Sequence, residues 1–432
     1  MREGRMDRRG PTKGRKSLMR RIVTFGSMAV VALFALAACG DDTSRYSTLS
    51  PRSDVTDDVH GIYKLVFWLA LVVFIGVQFA IVYTALRYRR RKEDGVRPPQ
   101  IHGNKTLEIV WTIIPAIVLL VIFIPSVRIM YEQADSAESG DYVVEVYAKQ
   151  WWWEIHYPGM GNSTNTSNGE TDILLTANEI HVPVDKKIQI KLYSNNVIHS
   201  FYVPQLSGKM DVMPGHENVI GFTASQTGVY YGECAEFCGD SHAWMRFQVI
   251  VEPQAQFDSW VAAMNSAPPA AAETYGTNPD GTLVQAPVSM GICLGCHRVG
   301  GTTAAFAPIG LNEDPGTAEQ PGTAKIAGPD LGLFGCRTTI GAGIIPNTLE
   351  DLKAWLRDPG SIKPGNYMAT QIKAGTLDEQ KIDEIATFLL SLVPEGGCGA
   401  ITDSADVVNN SLPVGNDSLP AASPEAGATP AS

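Results

Sequence analysis

Two long apolar runs, Ile62 to Leu86 and Ile109 to Val127, constrain this chain more than any other feature, because each can cross ~30 Å of hydrocarbon as a helix. Little more than Gln78 interrupts the first. Between them lies Arg87-Tyr88-Arg89-Arg90-Arg91-Lys92, and a short basic loop of this kind stays in the cytoplasm by the positive-inside rule. The hairpin, with spans at about 62–86 and 109–130, then has both outer ends on the far side of the membrane. Pro115 and Pro125 remove helix donors, and the freed carbonyls need partners that lipid does not offer, so the hairpin is expected to pack against a larger membrane protein.

A basic stretch ending at Arg20-Arg21, the apolar run Ile22 to Ala35 and then Leu36-Ala37-Ala38-Cys39-Gly40 fit a cleaved signal segment over 1–39. The small residues before Cys39 resemble a bacterial lipoprotein box, on which reading Cys39 becomes a lipidated N-terminus; an uncleaved anchor helix is the alternative. An exported Cys39 agrees with the hairpin's orientation and places the remaining domains on the outer face of a bacterial cytoplasmic membrane. The net charge of -11, with basic residues concentrated near the N-terminus and around 87–92, argues against a nucleic-acid partner.

From Tyr142 to Glu252 the pattern changes to short β-rich runs at Tyr142–Tyr147, Lys187–Tyr193, Val219–Phe222, Val229–Tyr231 and Arg246–Val251, punctuated by Gly, Pro and Asn. This predicts an all-β sandwich or barrel within a domain spanning 132–264, with 162–168 as a surface insertion. Within it, Gly-Glu-Cys-Ala-Glu-Phe-Cys-Gly-Asp-Ser-His-Ala-Trp-Met places Cys234, Cys238, His242 and Met245 in one loop, a soft donor set that favours copper. His199 follows the Lys187–Tyr193 run and is placed to reach that loop from a strand end. With the Glu236 carbonyl it completes six donors, enough for two coppers bridged by two thiolates, whereas a mononuclear blue-copper site needs one cysteine. A Cys234–Cys238 disulfide is the competing reading. His181 and His216 are expected at packing or surface positions.

These residues, together with the hairpin, resemble cytochrome c oxidase subunit II and its dinuclear copper A centre, over a stretch ending near Trp260. The resemblance implies a cupredoxin-like Greek-key barrel behind a two-helix membrane hairpin, and an electron-accepting role. It further implies that Trp151, in Lys149-Gln150-Trp151-Trp152-Trp153, is the aromatic residue through which electrons arrive, although Trp152 stands where the family usually has tyrosine. By the same resemblance the Glu236 side chain is a magnesium or manganese ligand at the boundary with the catalytic subunit. Glu108 resembles a glutamate near a proton-uptake path; a helix-start carboxylate favoured by the dipole is the simpler reading.

Residues 265–286 read as a flexible linker, and a new domain spans 287–399. Cys293-Leu294-Gly295-Cys296-His297 fits covalent attachment of haem c through Cys293 and Cys296, with His297 as proximal ligand. Zinc would want a further Cys/His pair, and no histidine follows His297. Met368 is the only methionine after the motif and is the expected distal ligand. Leu349–Arg357 and Asp378–Val393 read as helices, the second with Ile382, Ile385, Phe388 and Leu389 on one face. This small all-α domain resembles class I cytochrome c, with Gly328-Pro329-Asp330-Leu331 similar to that family's haem-side loop; Ala369 replaces the usual proline after the methionine. Cys336 and Cys398 are either bridged or two buried thiols. The tail, 400–432, reads as disordered.

The chain is thus expected to be a multidomain membrane protein, the electron-transfer subunit of a haem-copper oxidase in which a fused haem c feeds copper A. Implied partners are a catalytic subunit I that reduces oxygen and pumps protons, a subunit III, and an upstream cytochrome c or quinol–cytochrome c reductase. Competing readings are a copper A-containing nitric oxide reductase subunit and a lipid-anchored copper chaperone.

Overall fold

The structure, a computed structural model, describes residues 46–89, 103–137, 139–161, 172–194, 196–266, 274–277, 283–285, 287–297, 299, 316–317, 320–321, 328–394 and 396–399. The signal segment with Cys39, the 162–168 insertion and the 400–432 tail lie outside the described residues.

Helices α1 (Asp54–Arg87) and α2 (Lys105–Ala137) carry the two apolar runs and extend them at both ends. Both are long and apolar enough to span a membrane, and their apolar side chains, such as Trp68, Phe79, Trp111 and Phe123, are exposed, as lipid-facing residues must be. Pro115 and Pro125 both lie inside α2. The start of α1 is fastened rather than frayed. Ser53 caps it by accepting from the Thr56 amide, and the Ser53 and Thr56 hydroxyls donate to the carbonyls of Leu206 (2.6 Å) and Gln205 (2.9 Å) in the following domain. The Thr223 amide donates to Asp54 Oδ1 at 2.8 Å. Capping therefore fixes the hairpin to the β-domain as well as satisfying orphan helix donors.

That domain is a sandwich of two five-stranded sheets. One sheet has the order β3 (Leu174–Ala177), β2 (Trp152–Tyr157), β1 (Tyr142–Lys149), β5 (Lys187–Ser194) and β8 (Asn218–Thr223). The other has the order β4 (Glu179–Pro183), β10 (Arg246–Glu252), β9 (Gly228–Cys234), β6 (His199–Tyr202) and β7 (Lys209–Val212). All five predicted runs are strands. Of the five further strands, β2, β4 and β6 are buried on both faces or nearly so and show little alternation, while β3 and β7 are only four residues long. The pairings β1–β5 and β4–β10 are parallel, the others antiparallel.

Between the sheets, Trp153, Phe201 and Phe247 are fully buried, with ring centroids 4.7 to 6.0 Å apart. Gly232 is required beside them: a Cβ there would come within 2.2 Å of the Phe247 ring. His181 is a packing residue, stacked on Trp260 at 4.1 Å and bonded through Nδ1 to Glu252 at 3.1 Å, and His216 is exposed, both as expected.

Helix α3 (Gln254–Met264) closes the sandwich, burying Phe257 and Trp260. The expected linker contains a short antiparallel pair, Thr274–Thr277 with Leu283–Gln285, so it is not structureless throughout. The C-terminal domain has its own core around Met290, Leu352, Leu356, Ile382, Ile385 and Leu389. Its helices include α4 (Leu349–Arg357) and α7 (Glu379–Ser391), close to the two predicted helices, and two short ones that were not predicted, α5 (Pro359–Ile362) and α6 (Met368–Gln371). Cys336 and Cys398 are bonded, S–S 2.06 Å.

Candidate metal centre and cofactor cavity

The soft donors of the Cys234–Met245 loop meet those of β6 at the end of the second sheet. His199 opens β6 and Cys234 ends β9, which are hydrogen-bonded neighbours, so sheet register alone brings them together. A 3-10 turn at His242–Trp244 then folds the loop back so that Met245 precedes β10. The sulfurs of Cys234 and Cys238 are 3.8 Å apart. Cys234 Sγ is 3.8 Å from His199 Nδ1 and 3.2 Å from the Glu236 carbonyl; Cys238 Sγ is 3.5 Å from His242 Nδ1 and 3.9 Å from Met245 Sδ.

All six predicted donors therefore converge, and His199, Cys234, Cys238 and Met245 are buried. The sulfur separation is far beyond the 2.03–2.05 Å of a disulfide, so the competing disulfide reading is not what the chain adopts. Each sulfur has its own imidazole and its own weak donor, which is the arrangement two soft cations need.

The two thiols titrate as a pair. Cys234 is pulled down to about 3, chiefly by the hydrogen bond from Cys238 and against its own burial, while the same contact and burial push Cys238 up. Bound cations must displace the thiol protons, since thiolates are the ligands. Asn196 Oδ1 faces His199 Nε2 at 3.3 Å, which keeps the proton on that nitrogen and leaves Nδ1 for a metal.

Trp151 is buried beside this loop, and its Nε1 donates to the Cys238 carbonyl at 3.0 Å. Gln150 Nε2 donates to the same oxygen at 2.7 Å. Gln150 and Asn196 were not singled out in the sequence, although the first adjoins Trp151. The Glu236 side chain is exposed. Glu108 is exposed in the first turn of α2, far in sequence from the thiol loop.

A cavity of about 460 Å³, within the usual range for ligand pockets, takes in Cys293, Cys296, His297 and Met368 together, with Leu331, Phe334, Leu352, Leu356 and Leu389 among its apolar walls. His297 Nδ1 donates to the Pro329 carbonyl at 2.8 Å, so Nε2 is the basic nitrogen. Gly328 lies so close that a Cβ would come within 2.2 Å of the His297 ring. The Gly328–Leu331 loop thus holds the imidazole in place. The fit to a covalently held haem is good in donor set, in the mainly apolar lining and in size.

The same cavity is lined by Gln150, Trp151 and Trp152 of the β-domain. Tyr367, beside Met368, stacks on Trp151 with centroids 4.8 Å apart and planes inclined by 27°. Lys363, also from the C-terminal domain, is buried, donates to the Trp151 carbonyl at 2.5 Å and is lowered to about 7 by burial, opposed by Cys238. Nothing in the sequence marked Lys363 or Tyr367.

The family described as "Cytochrome C oxidase subunit II, periplasmic domain" matches residues 142–252, and its "transmembrane domain" counterpart matches residues 50–129. The chain is similar to cytochrome c oxidase subunit 2 of Bacillus sp. (strain PS3), 36% identical over 385 residues, covering 86% of this chain and 96% of the relative. It is likewise similar to that of Alkalihalophilus pseudofirmus, 33% identical over 374 residues, covering 85% and 96%. Both matches are longer than residues 1–264 alone, so they run into the part beyond the β-domain. Among solved structures, the periplasmic domain of subunit II of the cytochrome oxidase of Bradyrhizobium japonicum is 30% identical, covering 29% of this chain and 94% of that one, with a TM-score of 0.26.

Proposed function

We infer the role of this chain from its family: it belongs to the cytochrome c oxidase subunit II proteins and is the electron-transfer subunit of a haem-copper oxidase. Two helices anchor it, the copper domain stands on the outer face of the membrane, and the catalytic subunit I of the complex reduces oxygen. The relatives are cytochrome c oxidase subunits, which disfavours nitric oxide reduction and copper storage.

The observation that carries the reading is the convergence of six soft or weak donors around two sulfurs 3.8 Å apart. The residues that would hold copper A are Cys234 and Cys238 as bridging thiolates, His199 and His242, and Met245 with the Glu236 carbonyl. Copper bound there supplies one-electron chemistry at a site whose ligands need not rearrange. The protein's part is to keep the ligands fixed: strand register sets His199 against Cys234, Asn196 fixes the imidazole tautomer, and burial excludes water. The exposed Glu236 carboxylate is offered to the neighbouring subunit as a magnesium or manganese ligand.

The C-terminal domain is a haem c domain in this reading. Cys293 and Cys296 would form the thioethers, with His297 and Met368 as axial ligands, and haem so held supplies electrons to copper A. Its support is the shared cavity, the Nε2 left free of the Pro329 contact, and the length of the match to the Bacillus relative. An upstream cytochrome c or quinol–cytochrome c reductase delivers the electron, a subunit III completes the complex, and Cys39 carries lipid. Metal analysis and a covalent-haem assay on the purified oxidase test this: two coppers and one haem per chain are expected, and one copper or no covalent haem would refute the corresponding half.

A further inference from the structure

Glu179 lies at the start of β4, and its carboxylate is buried, 3% exposed, yet the strong donors to it come from the other domain. The Thr338 and Thr339 amides donate to Oε1 at 3.0 and 2.8 Å, and their hydroxyls at 2.8 and 2.9 Å. A buried carboxylate stripped of such donors is costly, so this face of the copper domain is built to be covered. The contact continues outward from there. The Arg246 amide donates to the Ala342 carbonyl at 3.2 Å, Ala342 packs on Trp152 and Ala177, and Lys363 reaches the Trp151 carbonyl.

The same cover places one ring on another. Tyr367 stacks on Trp151 and directs its hydroxyl at Gln150 Oε1, 3.3 Å away; Trp151 and Gln150 both donate to the carbonyl of Cys238. Tyr367 immediately precedes Met368, and both line the cavity that holds His297. Trp151 is 6% exposed under this cover.

We propose that the C-terminal domain is a fixed cap on the copper domain, latched by Glu179, in which the Tyr367–Trp151 stack bridges the two redox sites and closes Trp151 to any outside donor. An external donor must then deliver to the C-terminal domain. With both groups bound, the stacked rings would carry one electron from ferrous haem, leaving it ferric, to the oxidised copper pair, reducing that pair by one electron; no bond would break and no proton would have to move. The electron step rests on the haem and copper reading given above, whereas the latch and the covering of Trp151 do not.

Two measurements on the full-length chain in detergent test it. In the first, oxidative footprinting reads the accessibility of Trp151. Protection is expected in the parent, and Thr338→Val with Thr339→Val, which removes two hydroxyl donors to a carboxylate, should raise its labelling by about tenfold. Ready labelling of Trp151 in the parent would overturn the fixed cap. In the second, haem is photoreduced and copper reduction is followed. Loss of the fast phase in Tyr367→Leu, with its retention in Tyr367→Phe, is expected; equal rates in the two variants would overturn the bridge.

Covalent haem content and copper content are measured on each sample. A chain that lacks covalent haem defeats the haem reading, and its Trp151 footprint still decides the cap. If Tyr367→Leu disturbs axial ligation, the Thr338→Val, Thr339→Val pair carries the kinetic test, since neither residue is among the proposed metal donors; Thr339 lines the haem cavity, so the haem spectrum of the pair is checked first. Its fast-phase amplitude should fall as its Trp151 labelling rises, and an unaltered amplitude in a sample whose Trp151 has become readily labelled would overturn the proposal.

Discussion

His199 and Cys234 sit on adjacent antiparallel strands, with the His199 Nδ1 3.8 Å from the Cys234 sulfur although 35 residues separate them in the chain. Pairing of Phe201 with Cys234 sets this separation, so the copper site inherits its rigidity from the sheet. Replacing Cys238 by serine removes a sulfur that faces His242 and Met245 and is proposed to bridge two coppers. The expected result is loss of the second copper, read by metal analysis on folded protein; retention of two coppers would contradict the bridging role.

Asn196 acts one step further out. Its Oδ1 fixes the His199 tautomer, and Asn196→Ala is expected to weaken copper binding by about 10- to 100-fold, the usual cost of losing such a partner. Competition against a chelator of known affinity measures it, and an unchanged affinity would show that His199 is oriented by packing alone.

Acid should weaken the copper domain through Glu154. Burial alone would raise this carboxyl, but Lys149 at 2.8 Å and His156 at 2.9 Å reverse that and hold it at about 2, below its ordinary 4.5. The folded state therefore binds the proton less well than the unfolded chain. Its contribution of roughly 3 kcal/mol is present above 4.5 and lost as the pH falls toward 2. Urea unfolding across that interval should show a shallower pH dependence in Glu154→Gln; identical slopes would rule Glu154 out.

The Cys336–Cys398 bond closes a separation of 62 residues around the last helix of the C-terminal domain. In the chain-entropy model, Cys336→Ser with Cys398→Ser should cost about 4 kcal/mol of that domain's stability. Denaturant titration followed by the fluorescence of Trp355, in α4 of that domain, reads it, and an unchanged midpoint would mean that the α7 packing, not the bond, holds the domain.

Much of this was legible beforehand, for identifiable reasons. The hairpin was readable because lipid permits few polar residues, and the copper loop because its donors are clustered within one short segment. The Cys293–His297 motif is likewise contiguous. Strands β2, β4 and β6 were missed because burial on both faces erases alternation. Lys363, Tyr367 and Glu179 were invisible for another reason: each has an ordinary sequence setting and acquires meaning only where the two domains meet.

Glu108 carries the remaining question about protons. It is exposed in the first turn of α2 with its backbone amide bonded to Asn104. In the intact complex, Glu108→Gln is expected to slow proton-dependent turnover and leave copper reduction untouched. Unchanged turnover would reduce it to a helix-start carboxylate favoured by the dipole.

We propose above all that this chain carries an electron from its own C-terminal domain to its own copper site. Stopped-flow reduction tests it most directly, comparing the intact protein with one cut within 265–286. In the intact chain, copper reduction should follow haem reduction at a rate independent of protein concentration, and the cut protein should be slower on dilution. Copper that stays oxidised after the haem is reduced, or that fills at a rate proportional to concentration in the intact chain, would contradict the account.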